Sequence, residues 1–105
     1  MKSIPLPSTS FKPAPYTGPS AESVLALRKQ YLNPGILLYY KQPIMIVEGK
    51  MQWVWDHTGK RYLDGLGGIV TVSVGHCHPH VLAAANAQNA TLQHSTTNWA
   101  PGTSG

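Results

Sequence analysis

The sequence predicts an α+β chain: a helix, a three-stranded antiparallel meander, a strand and a second helix, with disordered termini. Three observations carry that expectation. Val24, Leu27 and Tyr31, with Leu25 and Leu32 beside them, follow helical spacing. From Ile44 onward, β-prone runs alternate with turn residues, first Gly49-Lys50 and then Asp56-His57-Thr58-Gly59. After Pro79 an alanine-rich segment returns to helical composition.

Taken in order, residues 1–19 hold Pro5, Pro7, Pro13, Pro15 and Pro19 and few large apolar groups. Proline removes amide donors and keeps its neighbours out of helix, so this stretch reads as an extended arm lying on a surface or a partner. The arm is expected to add nothing to a core. Ser20 has the chemistry of a helix N-cap, with Glu22 in the first turn, where the helix dipole favours an acid. Asn33-Pro34-Gly35 ends that helix, and the apolar run at 36–40 fits no single state.

Strands are expected at 44–48, 51–55 and 60–63, with Met51, Trp53 and Trp55 on one face of the middle strand. Gly65, Gly67 and Gly68 break the chain before a further strand at 69–74, where Val70, Val72 and Val74 share one face. The second helix starts near Pro79, since proline is well tolerated at the first helical position. It runs to about Gln93, with Val81, Leu82, Ala85, Asn89 and Leu92 on a semi-apolar face.

At 105 residues the chain forms at most one small domain. Without the arm and the tail from Trp99, roughly 80 residues are left to fold, few enough to need a compact core. The net charge of +4 and the pI near 9.4 reflect few acids, because the lysines and arginines are spread along the chain and form no basic stripe. No nucleic-acid partner is expected. Cys77 is the only cysteine, which excludes an internal disulfide and favours a reducing compartment. No apolar run approaches membrane-spanning length, so no membrane partner is expected either. The N-terminus lacks the apolar core of a secretory signal. It also lacks the arginine-rich pattern of a mitochondrial presequence, having only Lys2 and Lys12. Its serines and the absence of acids before Glu22 leave targeting open.

His76, Cys77, His78 and His80 are the densest set of metal-ligating types. A zinc site needs ligands that converge, and these are nearly consecutive with no second cluster elsewhere. His76 and His78 are therefore expected to satisfy local backbone groups in a turn and a helix cap, and no metal is expected. Cys77 has no base to activate it and reads as structural. Gly65-Leu66-Gly67-Gly68 matches no phosphate-binding fingerprint and reads as a tight bend or a close backbone approach. Trp53 and Trp55, at strand spacing, read as packing residues.

Several segments together resemble the N-terminal region of class-III pyridoxal-phosphate aminotransferases. They are the run 48–56, Gly59-Lys60-Arg61-Tyr62-Leu63-Asp64, Gly68-Ile69-Val70 and Gly75-His76-Cys77-His78-Pro79. Within the class, Tyr16-Thr17-Gly18-Pro19, Pro43, Thr71-Val72-Ser73-Val74 and Leu92-Gln93-His94 are similar to the mitochondrial-type alanine–glyoxylate group. The resemblance implies the fold-type I architecture, with residues 20–97 in the small domain and the start of the class-III domain. It implies a homodimer with active sites at the subunit interface, and a mitochondrial location. Tyr39, Ile69 and Val70 match positions that line the substrate pocket. The implied chemistry is amino transfer from alanine to glyoxylate, through pyridoxal phosphate held by a Schiff-base lysine.

None of Lys2, Lys12, Lys29, Lys41, Lys50 or Lys60 stands in that lysine's motif, so no catalytic or cofactor-binding residue is assigned. Beyond Thr97 the sequence departs from the family pattern into a polar stretch at 98–105. The expectation is a truncated transaminase, inactive as this fragment. The alternative is a non-enzymatic module that binds full-length aminotransferase subunits, motivated by an exposed Trp53/Trp55 face and the proline-rich arm.

Overall fold

The computed structural model describes residues 5–94. Residues 5–19 form no helix or strand, and helix α1 spans Ala21–Tyr31. Ser20 caps it as its chemistry predicts: its hydroxyl accepts a hydrogen bond from the Ser23 N–H at 3.2 Å, with Glu22 in the first turn. The helix stops at Leu32, whose N–H still reaches the Arg28 carbonyl. Asn33 then closes a turn by accepting the Gly35 N–H on its side-chain oxygen at 2.8 Å.

Three antiparallel strands follow in the order β1 (Ile46–Lys50), β2 (Trp53–Asp56) and β3 (Arg61–Leu63). Lys50 lies opposite Trp53, so the β1–β2 turn is Met51-Gln52, two residues later than the expected Gly49-Lys50. The reason is long-range. Met51 takes a positive φ of 52° and is held there by two backbone hydrogen bonds with His76, each 2.7 Å. Gly49 lies within β1, where a Cβ would come within 2.9 Å of the His76 side chain. Met51 therefore does not share a strand face with Trp53 and Trp55. The β2–β3 turn falls where expected, with Gly59 at φ +84°.

Trp53 and Trp55 are each 3% exposed and form the core, with Asp56 beside them. The Phe11 ring packs on Trp55 at a centroid distance of 5.3 Å, and the Arg61 guanidinium lies 4.3 Å from the centre of the Trp53 ring. Two expectations fall here. The arm does contribute to the core, because it delivers Phe11. The tryptophan face is covered, so it offers no exposed docking surface of the kind expected.

No strand forms at 69–74. The chain instead makes one left-handed turn, α2 (Gly67–Val70), followed by turns up to the His76 bridge with Met51. Helix α3 (Pro79–Asn89) starts at the proline as predicted and ends short of Gln93, leaving Leu92 outside it. Neither α1 nor α3 has a buried residue, and no described helix is long and apolar enough to cross a membrane. The expected disorder at the chain ends and the polar stretch at 98–105 lie outside the described residues.

Candidate functional site

Asp64 organises the segment after β3. Its N–H donates to the Gln52 carbonyl at 2.9 Å, which ties it to the hairpin turn. One carboxylate oxygen, Oδ1, accepts the N–H groups of Leu66 and Gly67 at 3.0 and 2.9 Å. The other, Oδ2, accepts the Gly68 N–H at 3.0 Å and the His76 Nε2 at 2.7 Å. Because the acceptor is a carboxylate, Nε2 carries the proton. The His76 bond, followed by the three amides, holds the Asp64 carboxyl below its ordinary range, against an opposing push from partial burial.

Those amides belong to the left-handed turn. Gly67, Gly68, Ile69 and Val70 have φ values of 60°, 58°, 63° and 54°. The Val70 N–H reaches the Leu66 carbonyl at 2.8 Å and the Thr71 N–H reaches the Gly67 carbonyl at 3.0 Å, closing the turn. Glycine adopts this state freely, but each L-residue with a Cβ costs roughly 1–2 kcal/mol. Ile69 and Val70, both β-branched, carry that cost. Hydrogen bonds to a charged acceptor contribute about 1.5–3 kcal/mol each, so the Asp64 carboxylate is strong enough to offset it. This is the physical reason the expected strand fails.

The outcome is two apolar side chains held away from the core, Ile69 at 76% and Val70 at 80% exposure. Val70 lines a groove of about 420 Å³ with Met51, Asp64, Gly67, Val72 and His76. The structure thus places Ile69 and Val70 together on one turn. Tyr39 is 93% exposed, set edge-on to Tyr40 at a centroid distance of 5.1 Å, and does not line that groove.

The histidines do not act as the sequence suggests. His76 reaches across twelve residues to Asp64, serving no adjacent backbone group. His78 stands at the N-cap of α3, but its side chain makes no capping bond and its Nδ1 is buried without a partner. Among the described residues, no group of three or more His, Cys, Asp or Glu converges as a metal site would need. Cys77 is exposed. The roles of Asp64 and His76 escape sequence reasoning because their pairing exists only once the hairpin turn has docked on 75–76.

A pyridoxal-phosphate site needs a lysine facing a cavity and a cradle for the phosphate. The Lys50 ammonium donates to the Cys77 carbonyl at 3.4 Å, Lys60 lies over the Tyr62 ring, and no lysine lines the Asp64 groove. The Leu66, Gly67 and Gly68 amides, which could have cradled an anion, are already taken by Asp64. The described residues do not by themselves fit the cofactor.

The profile of the family described as aminotransferase class-III matches residues 39–102. The chain is 47% identical over 91 residues to the mitochondrial alanine–glyoxylate aminotransferase 2 homolog 2 of Arabidopsis thaliana, covering 87% of this chain and 19% of the plant protein. It is 42% identical over 92 residues to the mitochondrial alanine–glyoxylate aminotransferase 2 of Homo sapiens, covering 88% and 18%. Among solved structures, the ornithine aminotransferase of Toxoplasma gondii superposes with a TM-score of 0.63 at 34% identity, covering 78% of this chain and 18% of that one. The acetylornithine aminotransferase of Elizabethkingia anophelis gives a TM-score of 0.63 at 26% identity, covering 75% and 19%. The chain spans about a fifth of the length of the curated relatives it matches.

Proposed function

The chain belongs to the class-III aminotransferase family, and on that premise we propose that its residues form the substrate-side wall of a transaminase active site. Pyridoxal phosphate is the cofactor of that family. The reaction is amino transfer from alanine to glyoxylate, in a homodimer located in mitochondria. The names of the plant and human relatives support the substrates and the location.

The left-handed turn at Gly67–Val70 is the observation that carries this reading. It presents Ile69 and Val70 outward beside a groove, and neither side chain can titrate. Such a wall selects by shape and excludes water, and it moves no proton. Two branched side chains narrow a site, which suits a donor whose side chain is a methyl group and an acceptor with none. Tyr39 contributes a third wall in the assembled enzyme. Proton transfer falls to a lysine that these residues do not supply, so the chain alone does not transaminate.

Grafting tests this. The matching stretch of the Arabidopsis relative is replaced by the one described here, and pyruvate formation from alanine and glyoxylate is measured. Retained activity is expected, with Ile69→Ala and Val70→Ala raising KM for alanine more than they lower kcat. An inactive graft that still holds its cofactor, or a KM indifferent to both substitutions, sinks the reading. The chain alone, mixed with pyridoxal phosphate, should give no visible band that borohydride discharges onto a single lysine.

A further inference from the structure

The geometry points to Asp64 and His76 as a positioning pair that sets substrate fit from behind the wall, by holding Gly67–Val70 in its left-handed state. The inference rests on the reading that Ile69 and Val70 face the substrate.

The turn has a competing state. Residues 69–74 have the composition of a strand, and Ile69 and Val70 are strained at φ values of 63° and 54°. Something outside the turn must hold them, and among the described residues the side chain bonding the Leu66, Gly67 and Gly68 amides is Asp64. A carboxylate on two rotatable bonds needs its own orientation fixed. His76 Nε2 does that at 2.7 Å, on the same Oδ2 that takes the Gly68 N–H.

His76 is anchored in turn. Its backbone exchanges two 2.7 Å hydrogen bonds with Met51, and its ring lies over Gly49, where any Cβ would collide with it. Gly75 permits the same approach, since a Cβ there would lie 2.8 Å from the Met51 Cα. Support therefore runs from the hairpin to His76, to Asp64, to the turn, and finally to Ile69 and Val70. A shift at either end of the Asp64–His76 bond moves the wall without touching substrate. The substrates sorted this way are short 2-amino and 2-oxo acids, for which a displaced methyl group decides entry.

The test uses isotope-labelled chain in solution. In the unsubstituted protein, ring nitrogen shifts should show a proton on His76 Nε2, and one-bond Cα–Hα couplings should report positive φ at Ile69 and Val70. A Nδ1–H tautomer overturns the proposal, whatever any variant does. His76→Ala should speed exchange of the Gly68 amide by roughly ten- to hundredfold and shift both couplings, with β2 amides unchanged. His76→Gln, which keeps a donor, should restore them. Couplings unmoved by His76→Ala overturn the pair. In the grafted enzyme, His76→Ala should raise KM for alanine as Ile69→Ala does. If the couplings move but neither substitution changes KM, the pocket reading fails and the conformational pair stands.

Discussion

Asp56 ends β2 with a carboxylate that accepts four hydrogen bonds, from the Thr58 hydroxyl at 2.7 Å, the Thr58 N–H at 2.9 Å, the Lys60 N–H at 3.1 Å and the Tyr62 hydroxyl at 2.7 Å. Led by the Thr58 hydroxyl, these bonds pull its pKa down to about 2 against the cost of burial, and the Tyr62 hydroxyl, by donating to this carboxylate, is itself raised. The folded value lies below the unfolded one. Its stabilisation, up to about 2 kcal/mol, is therefore complete above about pH 4 and fades as pH falls toward about 2. Asp64, also depressed, adds a loss of the same sign on the acid side. The urea midpoint, followed by tryptophan fluorescence, should drop across that window, and Asp56→Asn should flatten much of the drop. A midpoint constant from neutral pH to pH 3 would refute this account. At neutral pH, Asp56→Ala should cost about 3 kcal/mol, because four donors lose one shared acceptor.

Elements close on one another here through glycine and through one aromatic from the arm. Gly59 and Gly75 both have positive φ, 84° and 95°, but only Gly75 is crowded, with the Met51 backbone 2.8 Å from where a Cβ would sit. Gly59→Ala should therefore cost about 1 kcal/mol of strain. Gly75→Ala should cost about 3 kcal/mol, because the Met51–His76 bridge must open as well. Equal losses in chemical denaturation would contradict the close approach. Phe11→Ala should cost about 1–2 kcal/mol and shift Trp55 emission to the red; an unchanged spectrum would mean the arm is not docked in solution. These contacts mark the border of what the sequence reveals. Ser20, the 56–59 turn and Pro79 act on residues within a few positions, and each shows its role directly. Gly49, Phe11 and His76 act on distant partners, and the Asp64 carboxylate, local to its three amides, is oriented by the distant His76. The shifted hairpin turn, the docked arm and the left-handed turn are therefore not read from the sequence. Ile69 and Val70 stand out as a site pair through their motif; the one local sign of the carboxylate that places them is an aspartate set just ahead of glycines, a turn-forming pattern.

At the scale of the whole molecule, the fold leaves many large apolar side chains in water. The accessible surface is 9378 Å². A compact monomer of 11.4 kDa has roughly 5,800 Å². The radius of gyration is 19.0 Å, against about 13 Å for a compact chain of this length. Leu37 and Tyr39 are 85% and 93% exposed, and neither α1 nor α3 has a fully buried residue. Helices of eleven residues are marginal in water without a packed face. The β2 core is different, with both tryptophans covered and their strand paired on each side. Stability should therefore be uneven along the chain alone. Amide exchange at low concentration should find β2 protected, with α1 and α3 within roughly tenfold of unfolded rates. As concentration rises, the exposed apolar residues should drive association, visible by sedimentation and dye binding. Leu37→Glu should weaken that association and leave β2 protection within about 0.5 kcal/mol, since the side chain is not part of the core. In the grafted enzyme the same helical amides should become protected, because there the helices acquire a face to pack against. Helices as protected as β2 in the dilute isolated chain would show that they need no such face, and the surface argument would fail.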